Sequence, residues 1–128
     1  MSYTYEYPHP AVTVDCVVFG LGENQLQLLL IERGLDPFKG SWALPGGFVK
    51  IDEDSDTAAR RELEEESGLK DIYLEQLYTF SSVKRDPRER VISISYYALI
   101  KPETKKLSAS TDALQARWFN IDELPELA

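Results

Sequence analysis

The stretch GFVKIDEDSDTAARRELEEESGL, Gly47 to Leu69, packs eight acids (Asp52, Glu53, Asp54, Asp56, Glu62, Glu64, Glu65 and Glu66) into fifteen positions. From Asp54 to Ser67 it reads as one helix. Acids fill the first turn, where the dipole favours them, Ala58, Ala59 and Leu63 are good helix formers, and Gly68 ends the run. Glu62, Glu65 and Glu66 stand at i, i+3 and i+4 and therefore share one helix face, with Cβ atoms about 5–6 Å apart. Carboxylates that close repel one another unless a cation sits among them. An all-oxygen donor set suits Mg²⁺ or Mn²⁺ better than Zn²⁺, which favours His or Cys. The competing reading is a solvated acidic face, which is what most helical charge runs are.

Spacing narrows the choice. Gly47, Glu53 six positions later, and the run Arg61-Glu62-Leu63-Glu64-Glu65-Glu66-Ser67-Gly68-Leu69 satisfy all nine fixed positions of G-x5-E-x7-R-E-U-x-E-E-x-G-U, with U aliphatic. At ordinary residue usage, a chance match in so short a chain is on the order of one in ten million. The pattern is the Nudix box, and the chain resembles a Nudix hydrolase. Trp42-Ala43-Leu44-Pro45-Gly46-Gly47 also resembles the segment that commonly runs into that box.

At 128 residues the chain is expected to form one domain, residues 1–128, large enough to bury a core. It has no apolar run of membrane-spanning length, and its N-terminus lacks the features of a signal peptide, so a soluble, cytoplasmic protein with no membrane partner is expected. The net charge of −8 makes it a poor duplex binder, so no nucleic acid is expected to bind through this domain. A single cysteine, Cys16, excludes an internal disulfide and a zinc cluster; in an apolar strand it reads as a small buried side chain. His9, the one histidine, lies between Pro8 and Pro10 and makes neither a dyad nor a metal site.

Residues 1 to 10 read as an extended arm whose tyrosines could cover an apolar surface or a second subunit. Val12–Phe19 and Gln25–Ile31 read as strands joined by a Gly20–Asn24 turn, with Leu28-Leu29-Leu30-Ile31 buried on both faces. Glu32 to Ser41 reads as a loop. Beyond the helix, Ile72–Phe80 and Val91–Ile100 read as strands, Lys101–Gln115 as a loop, Ala116–Asn120 as a short strand, and Asp122-Glu123-Leu124-Pro125 as the start of a turn or helix. The loop Ser81–Arg90 carries four cations in an acidic chain. Arginine is the natural partner of phosphate oxygens, so at least one of Arg85, Arg88 and Arg90, with Arg33 as a weaker candidate, is expected to contact the substrate, against the alternative of an ordinary charged surface loop.

Strands on both sides of a helix give an α/β class. The resemblance implies more: a Nudix fold, an α/β/α sandwich around a mixed sheet. It implies a metal site at Glu62, Glu65, Glu66 and the Gly46 carbonyl, with Mg²⁺ or Mn²⁺ as cofactor. It assigns structural roles to Gly47, Glu53, Arg61 and Gly68, Glu53 and Arg61 being paired to brace the loop against the helix. Catalytic work is expected of Glu62, Glu65 and Glu66, with Glu89 or Asp112 as general-base candidates in later loops. Trp42, Phe38 or Tyr78 could stack on adenine, although aromatic residues near strands are usually core. Arg-Asp-Pro-Arg before Arg-Val-Ile-Ser resembles the subgroup that hydrolyses ADP-ribose to AMP and ribose 5-phosphate, or senses it in transcriptional regulators of NAD metabolism that add a DNA-holding winged helix. Such domains are often dimers, and the aromatic arm permits a homodimer. They normally continue with a further helix on the sheet, so a chain ending at Ala128 reads as a shortened or excised domain.

Overall fold

The computed structural model describes residues 2, 4–22, 24–34, 39–87, 89–102, 107–108 and 113–127. Its elements are β1 (Ala11–Gly22), β2 (Gln25–Arg33), β3 (Trp42–Ala43), β4 (Gly46–Phe48), α1 (Ser55–Ser67), β5 (Glu75–Phe80), β6 (Val91–Ile100), β7 (Ala113–Asn120) and a 3-10 turn (Ile121–Glu123). All seven strands belong to one mixed sheet, in which β1 runs parallel to β6 from Ala11↔Val91 to Gly20↔Ile100 while the other pairs are antiparallel. This confirms the α/β class and the mixed sheet. Among the described residues α1 is the one α-helix.

The sheet forks. Residues 19–22 of β1 pair with β2, whereas residues 13–15 pair with β4. On the far side of the fork β2 continues beside β7 and takes β3 on its other edge at Ile31 and Glu32. The segment from Trp42 to Phe48 therefore spans the opening between two diverging strands.

α1 forms where the residue pattern predicts it. Asp54, at φ −83 and ψ 169, accepts a hydrogen bond from the Thr57 N–H at 2.8 Å, and Gly68 closes the helix in the left-handed region at φ 79, donating its N–H to Glu64. Ala58, Ala59 and Leu63 face a core of Val14, Cys16, Val18, Leu29, Tyr96 and Ala98. A buried leucine such as Leu63 is worth about 2–5 kcal/mol against truncation to alanine. Tyr96 anchors the start of the helix, its hydroxyl donating to Asp56 at 2.6 Å and lying 2.7 Å from the Ser55 hydroxyl. Alternation along β1 turns Val14, Cys16 and Val18 to α1 and leaves Thr13 and Asp15 on the opposite face.

Several boundaries differ from the expected ones. Gly20 and Gly22 continue β1 instead of turning; the turn falls at Asn24, which has φ 58. Glu32 and Arg33 belong to β2, because β7 starts at Ala113 and pairs with them across a bulge. Ile72–Leu74 is not strand: Asp71 at φ 55 bends the chain, and Ile72 and Leu74 pack on the core instead. The run Leu28–Ile31 is fully buried, as expected.

Candidate active site

Two glycines form the wall around which the site is built. In the β1–β4 pairing, Cys16 N–H donates to the Pro45 carbonyl and Val49 N–H to the Val12 carbonyl. The register then turns the polar groups of Gly46 and Phe48 away from β1, toward α1. Gly46 N–H donates to Glu66 Oε1 at 2.7 Å, and the Phe48 carbonyl accepts from Arg61 Nη2 at 3.1 Å. A Cβ on Gly47 would lie 2.7 Å from the Glu62 carboxylate carbon, and one on Gly46 would lie 2.1 Å from the Val14 carbonyl oxygen. Glu62 and Glu66, one helical turn apart, thus come to neighbouring residues of the same strand.

Arg61 ties the wall together. Its Nε and Nη2 grip Glu53 at 3.0 and 2.6 Å, and its Nη1 reaches Glu62 at 2.6 Å and Glu65 at 3.3 Å. The guanidinium, helped by the Lys50 N–H, pulls the Glu53 carboxyl down to about 2, and Glu53 in turn raises the Arg61 pKa. Glu53 and Arg61 do join the loop before the helix to the helix itself. Gly68, the third glycine of the box region, caps α1, and a Cβ there would lie 3.0 Å from Ser108.

On the other side of the glycines opens a cavity of about 390 Å³, lined by Gly46 and Gly47 and by Thr13, Asp15, Arg33, Arg85 and Ser93. It carries both signs of charge. Burial pushes the Asp15 carboxyl up, against the opposing pull of the Arg85 guanidinium. Arg85 Nη1 donates to Ser93 Oγ at 2.8 Å.

Of the residues expected to meet substrate, Arg33 and Arg85 line this cavity. Arg90 is turned to the loop backbone, donating to the Ser81 and Ser82 carbonyls at 2.8 and 3.2 Å. Glu89 is exposed and outside the lining. Arg88, Asp112 and Phe38 lie outside the described residues. Trp42 packs edge-on against Phe119 with Arg117 over its ring, Tyr78 stands exposed beside Phe80, and Tyr5 meets His9 at a ring distance of 4.0 Å. Cys16 is fully buried, its thiol pushed up to about 12 by burial and by the nearby acids. Sequence reading missed Thr13, Asp15 and Ser93; polar residues at alternate positions of strands otherwise rich in Val and Ile were the available signal.

Among the described residues no three acids converge closely enough to form a ready-made metal cluster. Glu62 pairs with Arg61, and Glu66 accepts from the Gly46 N–H. The donor chemistry still fits a hard divalent cation: carboxylate oxygens on one helix face, a strand carbonyl on the edge toward them, and glycine where any side chain would fill the space beside Glu62.

The sequence model of the NUDIX domain matches residues 9–128. The chain belongs to the NUDIX family. Members of this family generally use divalent metals. This Nudix chain is 44% identical over 97 residues to the ADPR responsive transcriptional repressor NtrR of Acinetobacter baylyi, covering 74% of this chain and 39% of that protein. It is 43% identical over 122 residues to the ADP-ribose pyrophosphatase of Methanocaldococcus jannaschii, covering 95% of this chain and 69% of that one. The Nudix domain of Shewanella oneidensis NrtR, solved in complex with ADP ribose, superposes with a TM-score of 0.83 at 30% identity, covering 91% of this chain and 76% of that one. The chain therefore spans well under half of the repressor it resembles and about two thirds of the pyrophosphatase. No helix among the described residues is long and apolar enough to cross a membrane.

Proposed function

We propose that this Nudix chain hydrolyses a nucleoside diphosphate linked to a second group, with ADP-ribose as substrate and AMP and ribose 5-phosphate as products, using Mg²⁺ or Mn²⁺. One observation carries the reading: a wall of two glycines, bare of side chains, with the Glu62 and Glu66 carboxylates on one side and a cavity holding Arg33 and Arg85 on the other. A diphosphate lying along that wall would meet the guanidinium groups from the cavity side while its bridging bond faces the acids.

Glu62, Glu65, Glu66 and the Gly46 carbonyl would hold the cation, which when bound neutralises the diphosphate charge and lowers the pKa of a water. The remaining chemistry falls to the chain. Arg33 and Arg85 orient the phosphates, each as a planar fork matched to their oxygens. Asp15 and Asp86, on the same cavity, suit ribose hydroxyl donors. Arg61 keeps Glu62 and Glu65 in place through bonds that also fix Glu53 and Phe48. Glu65, with the most exposed side chain of the Arg61-linked acids, is placed to exchange a proton with solvent. The water oxygen joins one phosphorus, the bridging P–O bond breaks, and the two monophosphates separate.

A second reading has its own support. Both the Acinetobacter repressor and the Shewanella domain are named for ADP-ribose response or binding. On that reading the chain is the ligand-sensing part of a regulator and binds without efficient turnover. Incubation with ADP-ribose and Mg²⁺, followed by chromatography of AMP beside a Glu66→Gln control, separates the two. Turnover lost in the control supports hydrolysis; saturable binding with no AMP supports the sensor.

A further inference from the structure

Ser93 occupies a position where a hydroxyl needs a reason. It sits inside β6 between Thr13 of β1 and Phe80 of β5, and is only 2% exposed. A buried hydroxyl without partners is costly, and an apolar residue there would pack without that cost. Ser93 instead has two partners. Its Oγ lies 2.5 Å from Thr13 Oγ1, and it accepts from Arg85 Nη1 at 2.8 Å, since a guanidinium can only donate.

Arg85 is exposed, on the Ser81–Arg90 loop, and this bond to β6 is its one side-chain hydrogen bond among the described residues. The same three side chains line the cavity, with Arg33 also on its lining. When Ser93 donates its own proton to Thr13, its oxygen becomes a better acceptor for the guanidinium, so the two hydroxyls act as one anchor. A long side chain held in place before the ligand arrives loses less freedom on binding than one that must be caught from solvent.

We infer that Ser93, backed by Thr13, is a positioning residue that holds the Arg85 guanidinium ready for an anionic oxygen of the diphosphate, an inference that rests on the diphosphate reading of this cavity. The geometry separates this role from a packing role, because besides its bond to Thr13 the buried Ser93 hydroxyl accepts from an exposed loop arginine on the cavity lining.

The test is titration calorimetry with ADP-ribose in the presence of EDTA, which reads binding without turnover, on the parent chain and on Ser93→Ala, Arg85→Ala, the double variant and Arg85→Lys. Ser93→Ala is expected to weaken binding about tenfold, the scale of one charge-assisted hydrogen bond. In the Arg85→Ala background the same change is expected to cost less than twofold, because the group it positions is gone. Arg85→Lys, an exposed change that leaves the core untouched, is expected to lose about as much as Ser93→Ala, since an ammonium cannot reproduce the fork. Unchanged affinity in Ser93→Ala, an undiminished cost in the Arg85→Ala background, or full affinity in Arg85→Lys would overturn the inference and leave the diphosphate reading intact. No binding of ADP-ribose by the parent chain, either in EDTA or with Ca²⁺ in place of Mg²⁺, would overturn that reading and this inference with it.

Discussion

Alanine placed at Gly46 and at Gly47, one at a time, should give very different losses of stability from adjacent positions. Neither glycine has a positive φ, so alanine can adopt the backbone conformation at both, and the difference lies in what its methyl meets. At Gly46 the new carbon would sit 2.1 Å from the Val14 carbonyl oxygen and 3.1 Å from the Asp15 Cα, both backbone atoms in the middle of the sheet. Relief requires β4 to move off β1, and overpacking of this kind costs about 2–3 kcal/mol. For a domain of this size that is a fall in Tm of roughly 8–12 °C. At Gly47 the three nearest atoms, at 2.7 to 2.8 Å, all belong to the Glu62 carboxylate, the far end of a flexible side chain. Glu62 can rotate away at a cost below about 1 kcal/mol, and Tm should fall by less than about 4 °C. Turnover is nonetheless expected to suffer: by moving Glu62, Gly47→Ala should lower turnover of ADP-ribose by about 10–100-fold, the usual cost of disturbing the shell that orients a metal site. The assay pairs thermal unfolding with AMP release at saturating Mg²⁺. Gly47→Ala with full turnover, or with a loss of Tm equal to that of Gly46→Ala, would refute the reasoning.

Other expectations follow from the same contacts. Glu53 has a pKa held near 2, below the 4.5 of a free glutamate, so it adds stability above about pH 4.5 that disappears as pH falls toward 2; Glu53→Gln should flatten Tm against pH over that window, and a parallel acid limb in both proteins would contradict the Arg61 pairing. Cys16, with its thiol pushed up to about 12 and its surface fully covered, should resist iodoacetamide at pH 8 in the native protein and react fully in denaturant, as mass spectrometry can show. Tyr96→Phe removes the hydroxyl that joins Ser55 and Asp56 to the sheet and should cost about 1–2 kcal/mol in urea unfolding while leaving KM for ADP-ribose unchanged.

The helix was legible because its signals are local. Asp54, Gly68 and the i, i+3, i+4 acids need only neighbours in sequence to be interpreted, and the Arg61–Glu53 link spans eight residues. Gly20 misled because glycine has two uses. It was read as a turn residue, but a Cβ there would lie 2.6 Å from Pro102 and 2.8 Å from Trp118, so its value is close approach inside a strand. The polar side of the cavity was hidden for a different reason. Thr13 and Ser93 are eighty residues apart, and only the parallel register of β1 on β6 places them side by side. Asp15, not singled out in the sequence, reaches the lining with Arg85 through the same strand. Among four loop cations, which one turns inward depends on the path of the loop, so Arg85 and Arg90 could not be told apart from composition.

The long parallel ladder between β1 and β6 also sets a timetable for assembly. β1 is made first, yet the strand that flanks it along ten residues is complete only when Ile100 has been synthesised. At about 5–20 residues per second, the nascent chain carries an unmatched apolar strand for several seconds after leaving the ribosome. The β1–β2 hairpin is local enough to close early, but its hydrogen-bonding edge at residues 11–20 stays open to wrong neighbours until late in translation. Yield in a cell should therefore respond to the speed of translation through residues 81–100 as well as to the stability of the finished fold.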